Sequence, residues 1–245
     1  MDTVGDTTDR LAHSLVHRLK PIIKICGLTT DACVDACLAA GVETVGLNFY
    51  PGSPRCVTLE QAEALRARLP RPIVVVGVFV KPDSALVHEA VERVQLDVVQ
   101  LHGTDLEYWR QFQPPTVPLW LAHGIASTDD IQQLKLQLKV CKAMNLAVTA
   151  ALVDAKVAGQ HGGTGERAPW SLLQQTYWNV PLILAGGLRP NNVREAIQQV
   201  QPAGVDVASG VEGTKARKDA TLVYQFMNQA RSAYHQLATS ATPGE

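Results

Sequence analysis

Two short segments, Gly186-Gly187 and Ser209-Gly210, each follow an apolar run directly. A phosphate oxygen is held best by backbone N–H groups that can approach it with no Cβ in the way, and glycine permits that approach. A tight turn out of a strand asks for glycine too, so either pair alone decides little. Both together favour a phosphate grip. Other polar segments follow apolar runs in the same manner. They are Lys24-Ile25-Cys26-Gly27, Asn48-Phe49-Tyr50-Pro51-Gly52-Ser53-Pro54-Arg55, Gln100-Leu101-His102-Gly103 and Val153-Asp154. Their side chains include a thiol, a guanidinium, an imidazole and a carboxylate. Whether these groups form one site depends on the elements between them.

Those elements repeat. Short β-branched, apolar runs begin near Ile22, Val45, Ile73, Asp97, Val117, Val148, Leu182 and Gly204. Amphipathic stretches alternate with them, among them residues 30–40, 59–69, 82–94, 128–139 and 190–200. Eight strand–helix units predict a parallel sheet. An open, doubly wound sheet is the competitor, but no reversal of direction is visible, which favours closure into a (β/α)8 TIM barrel of α/β class. In such a barrel the site lies at the C-terminal ends of the strands, and the loops after strands seven and eight commonly hold phosphate. Both glycine pairs fall there. Local chemistry agrees with the parsing. Thr29 or Thr30 can cap the first helix, Gly41 can close it, and Thr58 can cap the second. Residues 1–20 read as an N-terminal extension, 21–237 as the barrel, and 238–245 as a disordered tail.

Composition sets the outer limits. Among 245 residues, 46% are hydrophobic and 18% charged, enough to bury a large core. The formal net charge of −1 gives no bulk attraction to nucleic acid or an anionic membrane. No apolar run is long enough for a membrane span, and the first ten residues lack the pattern of a signal peptide. The five cysteines form no disulfide pattern; Cys33 and Cys37 could share a metal but read better as small buried residues. A reducing cytoplasm suits them.

Taken in order, KICGLTT (24–30), FYPGSPR (49–55), VGVFV (76–80), VVQLHG (98–103), LVDAK (152–156), GGTG (162–165), LAGGL (184–188) and VDVASGVE (205–212) resemble phosphoribosylanthranilate isomerase, a family of tryptophan biosynthesis. The resemblance extends from about Ile22 to Asp219. It implies an Amadori rearrangement of N-(5-phosphoribosyl)anthranilate to 1-(2-carboxyphenylamino)-1-deoxyribulose 5-phosphate, with general acid–base catalysis and neither cofactor nor metal. It assigns Cys26 as general base and Asp154 as general acid. Arg55 is to bind the anthranilate carboxylate, for which its planar fork is suited. His102 is to contact substrate or orient the site. Gly186, Gly187, Ser209 and Gly210 are to hold the phosphate, while Gly162, Gly163 and Gly165 belong to a flap. The implied partner is one small phosphorylated substrate, with no nucleic acid or membrane, for a monomer or homodimer.

Cys26 as base should be favoured as thiolate by nearby positive charge. Lys24 stands two residues earlier and so shares its face of the strand, and Asp206 on strand eight should neighbour it after closure. A buried Lys24–Asp206 pair that biases Cys26 towards thiolate is therefore expected, and a purely structural pair with no effect on Cys26 is the alternative. The sequence departs from the family pattern in two places. Ala168-Pro169-Trp170 follows GGTG where Phe-Asp-Trp is frequent, and Gly213-Thr214-Lys215-Ala216-Arg217 follows SGVE where Pro-Gly is usual. His123 and His161 match no family position. A histidine-pathway isomerase would need aspartates at the ends of strands one and five, where Cys26 and His123 stand; a non-catalytic phosphate-binding barrel is the remaining alternative.

Overall fold

The computed structural model describes residues 20–155 and 170–240. Eight parallel strands close into one barrel. They are β1 (Ile22–Cys26), β2 (Thr44–Asn48), β3 (Val74–Val80), β4 (Val98–His102), β5 (Leu119–Ile125), β6 (Val148–Ala155), β7 (Leu182–Leu184) and β8 (Gly204–Val207). The helices outside are α1 (Asp31–Ala39), α2 (Leu59–Ala67), α3 (Ser84–Val94), α4 (Leu106–Gln111), α5 (Thr128–Ala143), α6 (Trp170–Gln174), α7 (Val193–Val200) and α8 (Ala220–Ser240). Closure is made by β1 against β8, with Lys24 opposite Asp206 and Ile25 opposite Val207. The barrel expected from the alternation is the barrel observed, and the open sheet is excluded.

The strands are apolar on both sides because both sides are buried. The period-two alternation sorts them into two cores. Cys26, Val76, Val78, Trp120, Leu152 and Ile183 belong to the cluster inside the barrel. Ile25, Val75, Leu101, Leu121, Val153 and Leu184 belong to the larger layer between strands and helices. Cys33, Cys37 and Cys141 are buried in that outer layer, as expected of small apolar residues. Burial pushes the Cys37 thiol up to about 12, so it stays protonated.

The helix ends follow their local chemistry. Thr58 accepts from the Gln61 N–H while Gln61 Oε1 accepts from the Thr58 N–H, a complete capping box. Gly41 closes α1 in the left-handed region at φ +64°, with Gly41 N–H donating to Leu38 and Val42 N–H to Cys37. Thr30 occupies the cap position of α1 without capping it; its hydroxyl turns to Cys33 Sγ at 3.2 Å. The last helix runs to Ser240, so residues 238–240 are helical where the sequence placed the start of a disordered tail. Leu237 still packs on the core one turn earlier, and the Thr239 and Ser240 hydroxyls donate to Gln236 O. No described helix is long and apolar enough to cross a membrane.

Candidate active site

A cavity opens at the C-terminal ends of the strands. Cys26, Arg55, His102, Asp154, Gly186, Gly187, Ser209 and Gly210 all line it. Eight sequence-assigned positions from six strand ends thus meet at one mouth. Their common face follows from parity: Lys24 and Cys26 on β1, Gln100 and His102 on β4, Leu152 and Asp154 on β6, and Asp206 and Ala208 on or after β8 are spaced by two. His123 has the opposite parity on β5, beside Val153 of the outer layer, and does not line the cavity. Gly162, Gly163 and Gly165, with His161, Ala168 and Pro169, lie outside the described residues.

In the turn after β7, Gly186 and Gly187 both have positive φ, +84° and +63°, where a side chain would be strained. Asn192, buried just before α7, braces this turn. Its amide donates to Gly187 O at 2.9 Å, and its Oδ1 accepts from the Arg189 N–H at 2.8 Å. Gly210 meets the same turn from β8. A Cβ there would stand 1.8 Å from Leu188 O, so only glycine lets the two loops close on each other. Asn192 carried no motif in the sequence, and the stretch read as helical, 190–200, placed it inside a helix rather than at its cap.

Cys26 is buried and free. Glycine makes its room: a Cβ on Gly46 of β2 would lie 2.7 Å from Cys26 Sγ and 3.1 Å from Lys24 Cε. Lys24 Nζ donates to Asp206 Oδ1 at 3.0 Å, with the lysine side chain wholly buried. The expected ion pair is present. Burial is the largest influence and would lower the Lys24 pKa, but Asp206, by charge and hydrogen bond, with a smaller contribution from Cys26, holds the ammonium above its ordinary range. The effect on Cys26 differs from expectation. Burial is the largest influence and raises its pKa; Lys24 lowers it and Asp206 raises it again. The net direction is upward, so the resting group is a thiol. The sequence placed the cation correctly, but burial and the pairing carboxylate overcome it.

Arg55 is a buried residue rather than an exposed loop arginine. It crosses directly over Gly27, where a Cβ would sit 2.5 Å from its Cδ. Its Nε and Nη2 donate to Glu212 Oε1 and Oε2 at 2.7 and 2.9 Å. Glu212 also accepts from Lys218 Nζ at 2.8 Å, and that ammonium donates to Ala208 O at 2.8 Å. Burial would raise the Glu212 pKa, but Arg55 and Lys218 prevail and hold it below the usual carboxylate range. The segment that departs from the family pattern forms a small hairpin, β9 (Glu212–Thr214) with β10 (Arg217–Lys218), that carries both residues. Sequence reading missed this pairing, because nothing in the spacing links residue 55 to residue 212. On β4, Gln100 Nε2 lies 2.8 Å from His102 Nε2, an arrangement that fixes the imidazole ring beside the cavity.

The site can therefore hold an anion at the glycine loops, present a thiol and a carboxyl group from β1 and β6, and offer a guanidinium near the rim. Known proteins similar to this chain are numerous. A family model described as N-(5'-phosphoribosyl)anthranilate isomerase matches residues 23–229. The curated protein of that name from Magnetococcus marinus is 40% identical over 217 residues, covering 86% of this chain and 95% of its own. That from Azotobacter vinelandii is 41% identical over 212 residues, covering 86% and 97%. The solved phosphoribosyl anthranilate isomerase of Thermotoga maritima superposes with TM-score 0.74 at 31% identity, over 87% of this chain and 100% of its own. A second solved isomerase, in complex with reduced 1-(o-carboxyphenylamino)-1-deoxyribulose 5-phosphate, gives TM-score 0.70 at 29% identity, over the same shares. The chain belongs to the N-(5'-phosphoribosyl)anthranilate isomerase family.

Proposed function

We propose that this isomerase converts N-(5'-phosphoribosyl)anthranilate to 1-(2-carboxyphenylamino)-1-deoxyribulose 5-phosphate with Cys26 as base and Asp154 as acid. The observation that carries the proposal is their convergence, with both glycine loops, on one cavity. The phosphate lies on the backbone N–H groups of the turns at Gly186-Gly187 and Ser209-Gly210. The sugar then extends between β1 and β6, which are three strands apart around the barrel. Arg55 receives the anthranilate carboxylate at the far end, and His102 lines the sugar's path.

Asp154 protonates the furanose ring oxygen. The anilino nitrogen lone pair opens the ring, leaving an iminium at C1 and a hydroxyl on C4. Cys26 removes the proton from C2, and the C2–H electrons form the C1=C2 bond of an enolamine. A proton added at C1 and one lost from the C2 hydroxyl give the ketone, so the reaction balances as an isomerisation. Each transfer needs donor and acceptor within hydrogen-bond reach. Cys26 rests as a thiol, so only its ionised fraction acts, and the Lys24 ammonium stabilises that thiolate.

The test is an isomerase assay of the wild type, Cys26→Ala and Asp154→Asn. Loss of a general acid or base lowers the rate by about 10²–10⁴-fold. Each variant should fall at least that far while still binding the product analogue. Full activity in either variant removes that residue from the mechanism. An inactive wild type that binds the analogue would favour the non-catalytic alternative.

A further inference from the structure

The buried group at the rim contains two cations, Arg55 and Lys218, around one carboxylate, Glu212. Glu212 is 6% exposed by side chain and Lys218 0%, so neither charge is well hydrated. Among the described residues Glu212 is the carboxylate in ion-pair range of either cation, so the three groups together carry one formal positive charge. A buried charge without a counterion is costly, so the group favours an added anion. The bonding pattern says where that anion goes. Glu212 takes the Nε–Nη2 edge of the guanidinium with both oxygens. The Nη1 side carries no hydrogen bond among the described residues, and Arg55 lines the cavity. Glu212 is itself held by Lys218, which is tied to Ala208 O beside the phosphate turn.

We infer that Glu212 is a positioning residue: it clamps one edge of Arg55 so that the other edge faces the anthranilate carboxylate, and Lys218 registers that clamp to the phosphate turn. The inference rests on the reading of Arg55 as the carboxylate's holder. Arginine has long, rotamer-rich freedom, and pinning it before binding reduces what must be ordered when the ligand arrives. The amide of Glu212→Gln matches the shape of the carboxylate but presents an N–H to one guanidinium donor, so the two-oxygen clamp is lost.

The experiment compares two ligands by calorimetry: the reduced product analogue, and the same molecule lacking its aryl carboxylate. Proteins are the wild type, Glu212→Gln, Glu212→Asp, Arg55→Gln and the Arg55→Gln/Glu212→Gln double variant. A hydrogen bond to a charged group is worth about tenfold to a hundredfold in affinity. Glu212→Gln should weaken the carboxylated ligand by about that factor, leave the other ligand unchanged, and raise KM more than it lowers kcat. Glu212→Asp, which keeps the charge, should lose less. On the Arg55→Gln background the second substitution should add nothing. Equal weakening of both ligands by Glu212→Gln, or of neither, overturns the inference. If Arg55→Gln itself fails to discriminate the ligands, the reading of Arg55 falls and takes the inference with it. If Arg55→Gln discriminates but the two effects add in full, Glu212 acts by another route and only the inference falls.

Discussion

At the scale of single residues, the site is shaped as much by absent side chains as by present ones. Gly27, Gly46 and Gly210 each face a neighbour that a Cβ would strike: Arg55 Cδ, Cys26 Sγ and Leu188 O. Gly27 has a second reason, since its φ of +79° is unfavourable for any side chain. Gly27→Ala should therefore displace Arg55 and raise KM by at least about tenfold, the low end for a charged hydrogen bond. The backbone strain should cost about 1–2 kcal/mol of stability. Steady-state kinetics and a denaturant titration check the two parts separately; unchanged KM would show that Arg55 tolerates the added methyl. Strand-end residues such as Cys26 and Asp154 were legible in the sequence because polar types after apolar runs are conspicuous. The ionisation of Cys26 was not. It depends on burial and on the distance to Asp206, which is 180 residues away in the chain, and both are properties of the closed barrel.

At the scale of elements, the seam between β1 and β8 carries the electrostatics. Lys24 and Asp206 are register partners, so the pair that closes the barrel also sits behind Cys26. Breaking one side strands a buried charge. Lys24→Met should destabilise the protein by about 3–5 kcal/mol, and Lys24→Met/Asp206→Asn should recover most of it. The kinetic sign is separate. Cys26 titrates above a free thiol, so kcat/KM should still be rising with pH beyond that value. Lys24 is the influence that pulls Cys26 down, so Lys24→Met should move this limb to higher pH. A limb that stays put would make the pair structural only. The pairing itself was expected from the two-residue spacing of Lys24 and Cys26 and from closure, because strand parity is a local property. The rim hairpin was not expected. Gly213 to Arg217, between its bonded ends, match no motif, and its partner Arg55 comes from the loop after β2.

At the scale of the whole molecule, eight strand–helix units were readable because each repeats the same contrast of apolar run and amphipathic stretch. What repetition does not reveal is how the second and last units are tied over the mouth. The Arg55–Glu212–Lys218 group does this, joining the loop after β2 to the segment after β8. Its titration should be visible in global stability. The folded Glu212 carboxyl lies below its ordinary range because the attraction of Arg55 and Lys218 overcomes burial. A group depressed in the folded state stabilises above its unfolded value, about 4.3 for glutamate. That stabilisation is lost as pH falls through the folded value. Wild-type stability should therefore decline from about pH 5 downwards, and Glu212→Gln should start lower at pH 7 and decline less steeply. Denaturant midpoints measured from pH 3 to 7 test this. Parallel curves for the two proteins would show that Glu212 keeps the same proton affinity folded and unfolded. The tie across the mouth would then hold the arginine in place without adding to the stability of the barrel.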